Sequence, residues 1–254
     1  MIDIHSHVLP GLDDGPGDLE GSLAILRAMV DDGVRIVVAT PHVRADYPTT
    51  PSGMRSALAR VRDRVEAEGI PIEVLSGAEI AIDVLTGLSA EDRVAFGLGG
   101  RSDVLLLEAP YHGWSVAVGD AIATLFAAGV TPVLAHPERN PRVQDRPELV
   151  EPLVRAGAVV QLTAASLDGR LGRRPAVTSR ALIELGLVHV VASDAHTASV
   201  RRGGLSSVAG ALEDARLAHV LTSEAPQALL AGEPLSPVRP RRKGVVGRLL
   251  SPGR

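Results

Sequence analysis

The sequence predicts an α/β fold in which seven parallel strands close into a barrel. Short apolar segments alternate with helical segments, which is typical of parallel strands joined by right-handed crossovers. An open doubly wound sheet shows the same alternation, but it concentrates its site at one switch point, whereas a barrel draws site residues from many strand ends. Here polar residues follow six of the seven predicted strands, and no Gly-x-Gly-x-x-Gly turn or phosphate-cradling Gly-Lys-Ser/Thr loop is present. A barrel is therefore the better interpretation.

The first strand is predicted at the amino terminus, where Ile2 and Ile4 alternate with Asp3 and His5. Residues two apart on a strand point to the same side, so His5 and His7 project together from its carboxyl end. Two imidazoles at one strand end make half of a metal site, although an isolated His-x-His pair is weak evidence.

The remaining elements follow in order along the chain. A loop at 8–17 precedes a helix at 18–32, whose apolar stripe stops before Gly33. The later strands are nearly continuous apolar runs, as expected when both sheet faces are covered. They are predicted at 35–40, 72–78, 103–107, 130–135, 158–162 and 188–192. Further helices are predicted at 52–68, 116–128, 147–156, 176–185, 206–217 and 224–230, and the segment 82–100 fits either a hairpin or a short helix.

Composition indicates one domain and a separate tail. A chain of 254 residues is long enough for one large core, and we predict a single domain over residues 1–236. Residues 237–254 hold six basic and no acidic side chains, so residues 1–236 carry 20 basic and 30 acidic ones, a formal charge of −10. The tail is predicted to be disordered, the alternative being a segment that contacts acidic lipid or a partner.

Several function classes are excluded or disfavoured. The absence of cysteine removes disulfides, thiolate ligands and any cysteine nucleophile. No apolar run approaches the roughly 18 residues that span a bilayer, and no signal peptide precedes the first strand, which predicts a soluble, cytoplasmic protein. The acidic body argues against nucleic-acid binding.

Nine candidate metal ligands stand after predicted strands or in the first loop. They are His5, His7, Asp14, His42, Glu79, Glu108, His136, Asp194 and His196. Each alone has an ordinary explanation, such as a turn residue or a helix cap, but five of the eight histidines share one geometrical position. Nine nitrogen and oxygen donors suit two or three ions such as Mn, Zn or Fe. Clustered ions bind phosphate oxygens and ionise a bridging water as the nucleophile.

Two arginines lie on the same rim, Arg139 and Arg201, and an arginine there is suited to gripping a phosphate with two hydrogen bonds. A surface arginine is the ordinary alternative for each. Tyr111 and His112, one loop beyond Glu108, are weaker candidates for contact with a substrate.

These residues, in this order, resemble the polymerase and histidinol phosphatase (PHP) superfamily of metal-dependent phosphoesterases, over about residues 1–232. Five motifs look more narrowly like the manganese-dependent bacterial tyrosine-protein phosphatases of capsule and exopolysaccharide loci (the CpsB/YwqE type). The motifs are Ile-His-Ser-His-Val-Leu-Pro-Gly-Leu-Asp-Asp-Gly at 4–15, Ala-Thr-Pro-His at 39–42, Gly-Ala-Glu at 77–79, His-Pro-Glu-Arg at 136–139 and Ser-Asp-Ala-His at 193–196. The resemblance implies a distorted seven-stranded α/β barrel.

The resemblance also implies three ions and two catalytic arginines. The first ion would be held by His5, His7, Glu79 and Asp194, the second by Glu79 as a bridge with Glu108 and His136, and the third by Asp14, His42 and His196. Arg139 and Arg201 fall where that branch has phosphate-gripping arginines. The loops at 46–49 and 111–114 match no family position, so the substrate is less determined than the chemistry.

The leading hypothesis is hydrolysis of phosphotyrosine on a protein, namely the tyrosine-rich tail of a bacterial polysaccharide-assembly kinase, with manganese as the metal. One alternative is a phosphatase for a small phosphate such as histidinol phosphate. Another is a non-catalytic metal-binding scaffold that docks a kinase through its acidic face or basic tail.

Overall fold

Parallel strands form the centre of a mixed α/β fold in the computed structural model, which describes residues 1–110, 113–198 and 204–239. The strands are β1 (Ile2–Ser6), β2 (Ile36–Ala39), β3 (His42–Arg44), β4 (Tyr47–Pro48), β5 (Glu73–Ser76), β6 (Glu79–Ala81), β7 (Val104–Glu108), β8 (Thr131–Ala135), β9 (Val159–Thr163) and β10 (Val190–Ala192). The helices are α1 (Leu19–Asp31), α2 (Pro51–Ala67), α3 (Ala90–Ala95), α4 (Val116–Ala127), α5 (Pro141–Asp145), α6 (Glu151–Arg155), α7 (Ala164–Leu167), α8 (Arg173–Glu184), α9 (Ser207–Leu212), α10 (Ala215–His219) and α11 (Ala225–Ala231).

The strands form two sheets. The smaller has the order β1-β2-β5, and the larger has the order β10-β9-β8-β7-β6-β3-β4. Neighbouring strands run parallel except β3 and β4, which form a short antiparallel hairpin. Parallel strands place their carboxyl ends at one edge, so residues that follow different strands are brought together there.

Two segments of the chain, 36–44 and 73–81, each form one strand in the smaller sheet and then one in the larger sheet. Only Thr40 and Pro41 separate β2 from β3, and Pro41 has no N–H with which to continue the ladder. Gly77 and Ala78 separate β5 from β6 in the same way. A Cβ atom at Gly77 would lie 2.8 Å from the Val38 side chain, so the close approach of the two segments requires glycine at this position.

Backbone contacts join β1 to the segment that follows β10. Ser6 forms an isolated parallel bridge with Ala195, and the Asp194 N–H donates to the His5 carbonyl over 2.9 Å. The first strand of the chain is thereby held between β2 and the end of the last strand.

A buried carboxylate reinforces this junction. Asp3 is fully buried, and its Oδ1 accepts a hydrogen bond from the Ser193 N–H at 3.0 Å. Burial disfavours the charged form and raises the pKa of Asp3.

Helix starts follow the capping chemistry of the sequence. The Asp18 side chain caps α1 by accepting from the Gly21 N–H, and Thr50 caps α2 in the same way with Pro51 in the first turn. The ambiguous segment 82–100 contains a helix, α3, rather than a hairpin, because Ser89 and Asp92 form a capping box.

Three helix predictions need correction. The helix predicted from 176 begins at Arg173, because Pro175 falls in the first turn, where its missing N–H costs nothing. The helix predicted at 147–156 is a 3₁₀ turn followed by α6. The helix predicted at 206–217 is two helices, since Glu213 adopts a left-handed φ of 52° and Asp214 caps α10.

The described chain continues past the predicted domain boundary at 236. The Val238 N–H donates to the Val188 carbonyl at 2.7 Å and forms a bridge with that residue. Residues 240–254, which make up most of the predicted basic tail, lie outside the described residues. Across the three described ranges, no helix combines the length and apolar character that crossing a bilayer requires.

Candidate metal centre

Glu79, the first residue of β6, stands among four imidazoles. Its Oε2 lies 3.3 Å from His5 Nε2, 3.4 Å from His7 Nε2 and 3.0 Å from His42 Nδ1. Its Oε1 lies 2.8 Å from His136 Nε2. The Glu79 side chain is fully buried, so bulk solvent does not stabilise the charge of this carboxylate. A buried carboxylate is stable only when it is paired with positive charge or binds a metal ion.

Asp194 approaches the same group from the loop after β10. Its Oδ1 is 3.6 Å from His5 Nε2 and 3.4 Å from His7 Nε2. The two Nε2 atoms are themselves 3.2 Å apart. Asp194 adopts a left-handed φ of 51°, a backbone conformation that is uncommon outside glycine and that aims its carboxylate at β1.

The outer part of the cluster is open to solvent. Asp14 Oδ1 lies 3.1 Å from His196 Nε2 and 3.6 Å from His42 Nε2, and the Asp14 side chain is 47% exposed. Glu108 Oε2 lies 3.8 Å from His42 Nδ1, and its side chain is 15% exposed. A ligand from solvent therefore reaches the cluster past Asp14 and Glu108.

The donor atoms fit divalent metal ions. Atoms that share one ion at about 2.0–2.2 Å stand roughly 3–3.5 Å from one another, which is the spacing seen around Glu79. Glu79 Oε2 and His42 Nδ1 are buried without a hydrogen-bond partner in the described chain, as expected of atoms that bind an ion instead. Four sets of donor atoms lie within 4.8 Å of one another: His7, Asp14, His42 and His196; His5, Glu79 and His136; His5, His7 and Asp194; and His42, Glu79 and Glu108.

Hydrogen bonds at Nδ1 orient His5 of β1 and His7, which directly follows β1. His5 Nδ1 lies 3.0 Å from Gln161 Oε1, and His7 Nδ1 lies 2.7 Å from Asp13 Oδ2. An acceptor at Nδ1 places the proton there and leaves the Nε2 lone pair facing the cluster, which is the arrangement of metal-binding histidines.

The electrostatics of the cluster also favour positive charge. Burial opposes protonation of His7, but Asp13, Asp194 and Glu79 outweigh it and raise the pKa of His7 well above its usual value. Burial similarly opposes ionisation of Glu79, but the neighbouring imidazoles lower its pKa. The carboxylates thus favour positive charge at the centre of the cluster, which a divalent cation would supply.

The rim of the cluster is formed by the turn after β8. His136 has a left-handed φ of 30° and leads into a 3₁₀ turn, Pro137–Arg139, which directs Arg139 back toward the centre. Arg139 Nη1 donates to Asp194 Oδ2 at 2.5 Å. Of the other predicted contacts with substrate, Arg201, Tyr111 and His112 lie outside the described residues.

Three polar residues around the centre were not predicted. Asp13 adjoins the predicted Asp14, and Gln161 interrupts the apolar run of β9, which is the signal that marks it. Glu138 is fully buried below the turn after β8, where its Oε1 accepts from the Thr163 N–H at 2.9 Å. Burial raises the pKa of Glu138.

The β3–β4 hairpin covers one side of the centre. Arg44 binds both carboxylate oxygens of Asp46 at 2.6 and 2.8 Å and donates to Glu108 Oε2 at 3.3 Å. The Tyr47 ring stacks on His42 with an interplanar angle of 11° and a centroid distance of 5.7 Å.

Comparison with known proteins identifies the family. The profile described as "Capsular polysaccharide synthesis, CpsB/CapC" matches residues 1–230, which contain every described residue of the cluster. The chain belongs to the CpsB/CapC family. The predicted resemblance is therefore confirmed.

Two proteins named as tyrosine-protein phosphatases are similar to most of this chain. The tyrosine-protein phosphatase YwqE of Bacillus subtilis is 35% identical over 252 residues, which cover 95% of this chain and 98% of that protein. The tyrosine-protein phosphatase CpsB of Streptococcus agalactiae is 30% identical, covering 79% of this chain and 85% of that protein.

A solved structure agrees with the fold. One chain from the crystal structures of YwqE from Bacillus subtilis and CpsB from Streptococcus pneumoniae, described as metal-dependent tyrosine phosphatases, superimposes with a TM-score of 0.83. It is 34% identical, and the match covers 94% of this chain and 100% of that one. The predicted α/β class with a central parallel sheet is confirmed.

Proposed function

We propose that this CpsB/CapC protein is a metal-dependent phosphatase that hydrolyses phosphotyrosine on a protein substrate. The observation that carries the proposal is the buried Glu79 carboxylate, whose oxygens face four imidazole nitrogens at 2.8–3.4 Å beside the Arg139 guanidinium. The names of its relatives, tyrosine-protein phosphatases that are described as metal-dependent, support the same conclusion.

The residues present would hold two or three divalent ions, with manganese as the metal. His5, His7, Glu79 and Asp194 would hold the first ion, Glu79, Glu108 and His136 the second, and Asp14, His42 and His196 the third. Such ions supply positive charge to a phosphate and lower the pKa of water, so that hydroxide is available at neutral pH. His7 lies within reach of the Asp14 set as well and would couple the first group of donors to the third.

The chain's own residues would orient and neutralise the phosphate. The open side at Asp14 and Glu108 admits it, and Arg139 on the rim offsets part of its negative charge. Arg201 is proposed as a second arginine with the same role. A tyrosine leaving group has a pKa of about 10, so it departs with little help from a general acid.

We also propose that the two sheets close into one distorted seven-stranded barrel, within a single domain over residues 1–236. Counting β2 with β3, β5 with β6, and β4 as part of the β3 hairpin gives seven strand segments. The Ser6–Ala195 bridge supports closure between β1 and β10. Two buried apolar clusters, one running from Val8 to Leu221 and the other from Ile2 to Leu229, each draw on most of the described chain.

The substrate is proposed to be the tyrosine-rich tail of a bacterial polysaccharide-assembly kinase. The description of the family as one of capsular polysaccharide synthesis supports this choice.

Phosphate release by metal-stripped protein tests the proposed function. We expect release from a phosphotyrosine peptide only after manganese is added, little release from histidinol phosphate, and loss of at least about 1,000-fold in rate on His136→Ala because Glu79 loses its closest nitrogen. His219→Ala is the matched control, since His219 is an exposed histidine on α10.

Two results would contradict the proposal. Release from histidinol phosphate alone would keep the metal chemistry and replace the substrate. No release from either compound, by protein shown to bind manganese, would favour a non-catalytic scaffold.

A further inference from the structure

A second concave surface adjoins the metal centre. This groove has a volume of about 450 Å³ and lies between the segment that contains α5 and the start of α8. Its walls include Arg139, Gln144, Leu171, Arg173 and Arg174. We call it the arginine groove.

The arginine groove shares one residue, Arg139, with the rim of the metal centre. Arg139 lines the groove, and its guanidinium donates to Asp194 Oδ2 in the centre. Arg139 also borders a small hollow next to Glu108 and His136. A peptide whose phosphorylated residue is bound at the centre would therefore place its neighbouring residues close to the groove.

The charge of the groove is opposite to that of the body around it. The lining of the groove contains three arginines, Arg139, Arg173 and Arg174, and no acidic residue, whereas residues 1–236 have a formal charge of −10. Charge of one sign in a concave surface concentrates ligands of the other sign.

Arg173 is the arginine best placed to bind a ligand. Arg174 is already occupied, because it donates to Asp145 Oδ1 at 2.5 Å and to Gln144 Oε1 at 2.9 Å. Arg173 is exposed, and no carboxylate of the described residues pairs with it. Its charge is thus available to a ligand without breaking an internal ion pair.

We propose that the arginine groove binds acidic residues that flank the phosphotyrosine of the protein substrate. This proposal rests on the proposed function and names the substrate class more narrowly. The groove shares Arg139 with the rim of the centre, where residues that flank a bound phosphotyrosine can reach it, and it is concave, unlike a surface that lies on a membrane. Its lining has no aromatic ring on which a nucleic-acid base stacks.

Three phosphotyrosine peptides of equal length test the proposal with the manganese-loaded full chain. One carries glutamates before the phosphotyrosine, one carries them after it, and one has glutamine in their place. We expect one acidic peptide to have a KM about three- to tenfold below that of the glutamine peptide, with an advantage that shrinks as salt is raised. Arg173→Glu should remove this advantage by raising KM while kcat stays the same, and Arg173→Gln should remove part of it.

Matched controls separate the groove from the chemistry. Arg60→Glu makes the same charge reversal at an exposed arginine on α2, which packs on α1 and β5, and should keep the preference. Hydrolysis of p-nitrophenyl phosphate, which has no flanking residues, should be equal in all variants and shows that each one is folded.

The outcomes distinguish the two proposals. If the wild-type protein hydrolyses no phosphotyrosine peptide, the proposed function fails. If it hydrolyses all three peptides equally, or if the acidic preference survives Arg173→Glu, the phosphatase stands and the role of the groove is refuted.

Discussion

The neutral amide of Gln161 orients the His5 ring, whereas the charged carboxylate of Asp13 orients the His7 ring. The two contacts, at 3.0 and 2.7 Å, orient neighbouring imidazoles that point into one cluster. A carboxylate partner makes a histidine a stronger electron donor and adds negative charge, while an amide fixes only the ring and its tautomer. The pair therefore holds two ligands in place with one negative charge instead of two near Glu79 and Asp194.

Replacing Gln161 by leucine tests its role as a positioning residue. Gln161→Leu keeps the size of the side chain but removes the acceptor for His5 Nδ1, so the lone pair on Nε2 is no longer held toward the cluster. We expect manganese to bind about 10–100-fold more weakly, as measured by titration calorimetry of the metal-stripped protein. Gln227→Leu, an exposed change on α11, should bind as the wild type does. Equal affinities in all three proteins would show that Gln161 has no part in the centre.

At the scale of elements, the loop after β1 depends on one close backbone approach. A Cβ atom at Gly15 would lie 2.6 Å from the His7 carbonyl oxygen and 3.0 Å from Asp13 Oδ1. This approach lets the loop turn back so that the Asp13 carboxylate reaches the His7 ring and the Asp14 carboxylate reaches His196.

Gly15→Ala should therefore damage both the fold and the centre. We expect a loss of about 1–3 kcal/mol in the free energy of unfolding, because a backbone carbonyl has to move, together with weaker manganese binding. Gly17→Ala is the matched control in the same loop, since a Cβ atom there meets nothing within 4 Å. Urea unfolding and metal titration of both variants measure the effects, and similar behaviour of the two would contradict this account of the loop.

The sequence was sufficient to predict the seven apolar strand segments, but the prediction missed the short β3–β4 hairpin, because His42–Arg44 and Tyr47–Pro48 are not apolar runs. It did not predict that two of them are interrupted, since Thr40-Pro41 and Gly77-Ala78 also look like ordinary strand ends. Helix boundaries were predicted well where an Asp or Thr cap is present, as at α1 and α2. They were predicted poorly where the boundary depends on one left-handed residue such as Glu213.

The grouping of the described candidate ligands was predictable, because five of the eight histidines follow predicted strands and carboxylates recur at the same position. Their supporting residues were less predictable, because Gln161 and Glu138 act through contacts with residues far away in the sequence. Gln161 meets His5 across 156 residues, and no local pattern encodes that pairing.

At the scale of the whole molecule, a buried histidine outside the centre makes stability depend on pH. His189 is 3% exposed, its Nδ1 accepts from the Val160 N–H at 3.0 Å, and burial lowers its pKa to about 4 from 6.5. The unfolded chain takes up a proton as the pH falls through 6.5, but the folded chain does not until about pH 4. The free energy of unfolding therefore decreases between pH 6.5 and 4.

Replacing His189 by asparagine should reduce this acid sensitivity. The asparagine Oδ1 can still accept from the Val160 N–H, but it does not titrate. Between pH 8 and pH 5 we expect the wild-type protein to lose about 2 kcal/mol more than His189→Asn, because other titrating groups cancel in the comparison. Urea unfolding at both values measures the difference, and equal losses would show that His189 titrates normally.

The junction between β1 and the end of β10 can form only late in protein synthesis, after the ribosome has added the residues that follow β10. Asp3 and Ser193, which it joins, are 190 residues apart. A ribosome that adds about 5–20 residues per second makes these two positions about 10–40 s apart. For that time the nascent chain carries His5 and His7 without Asp194 or His196, so loading of the proposed ions is completed after most of the chain has been translated.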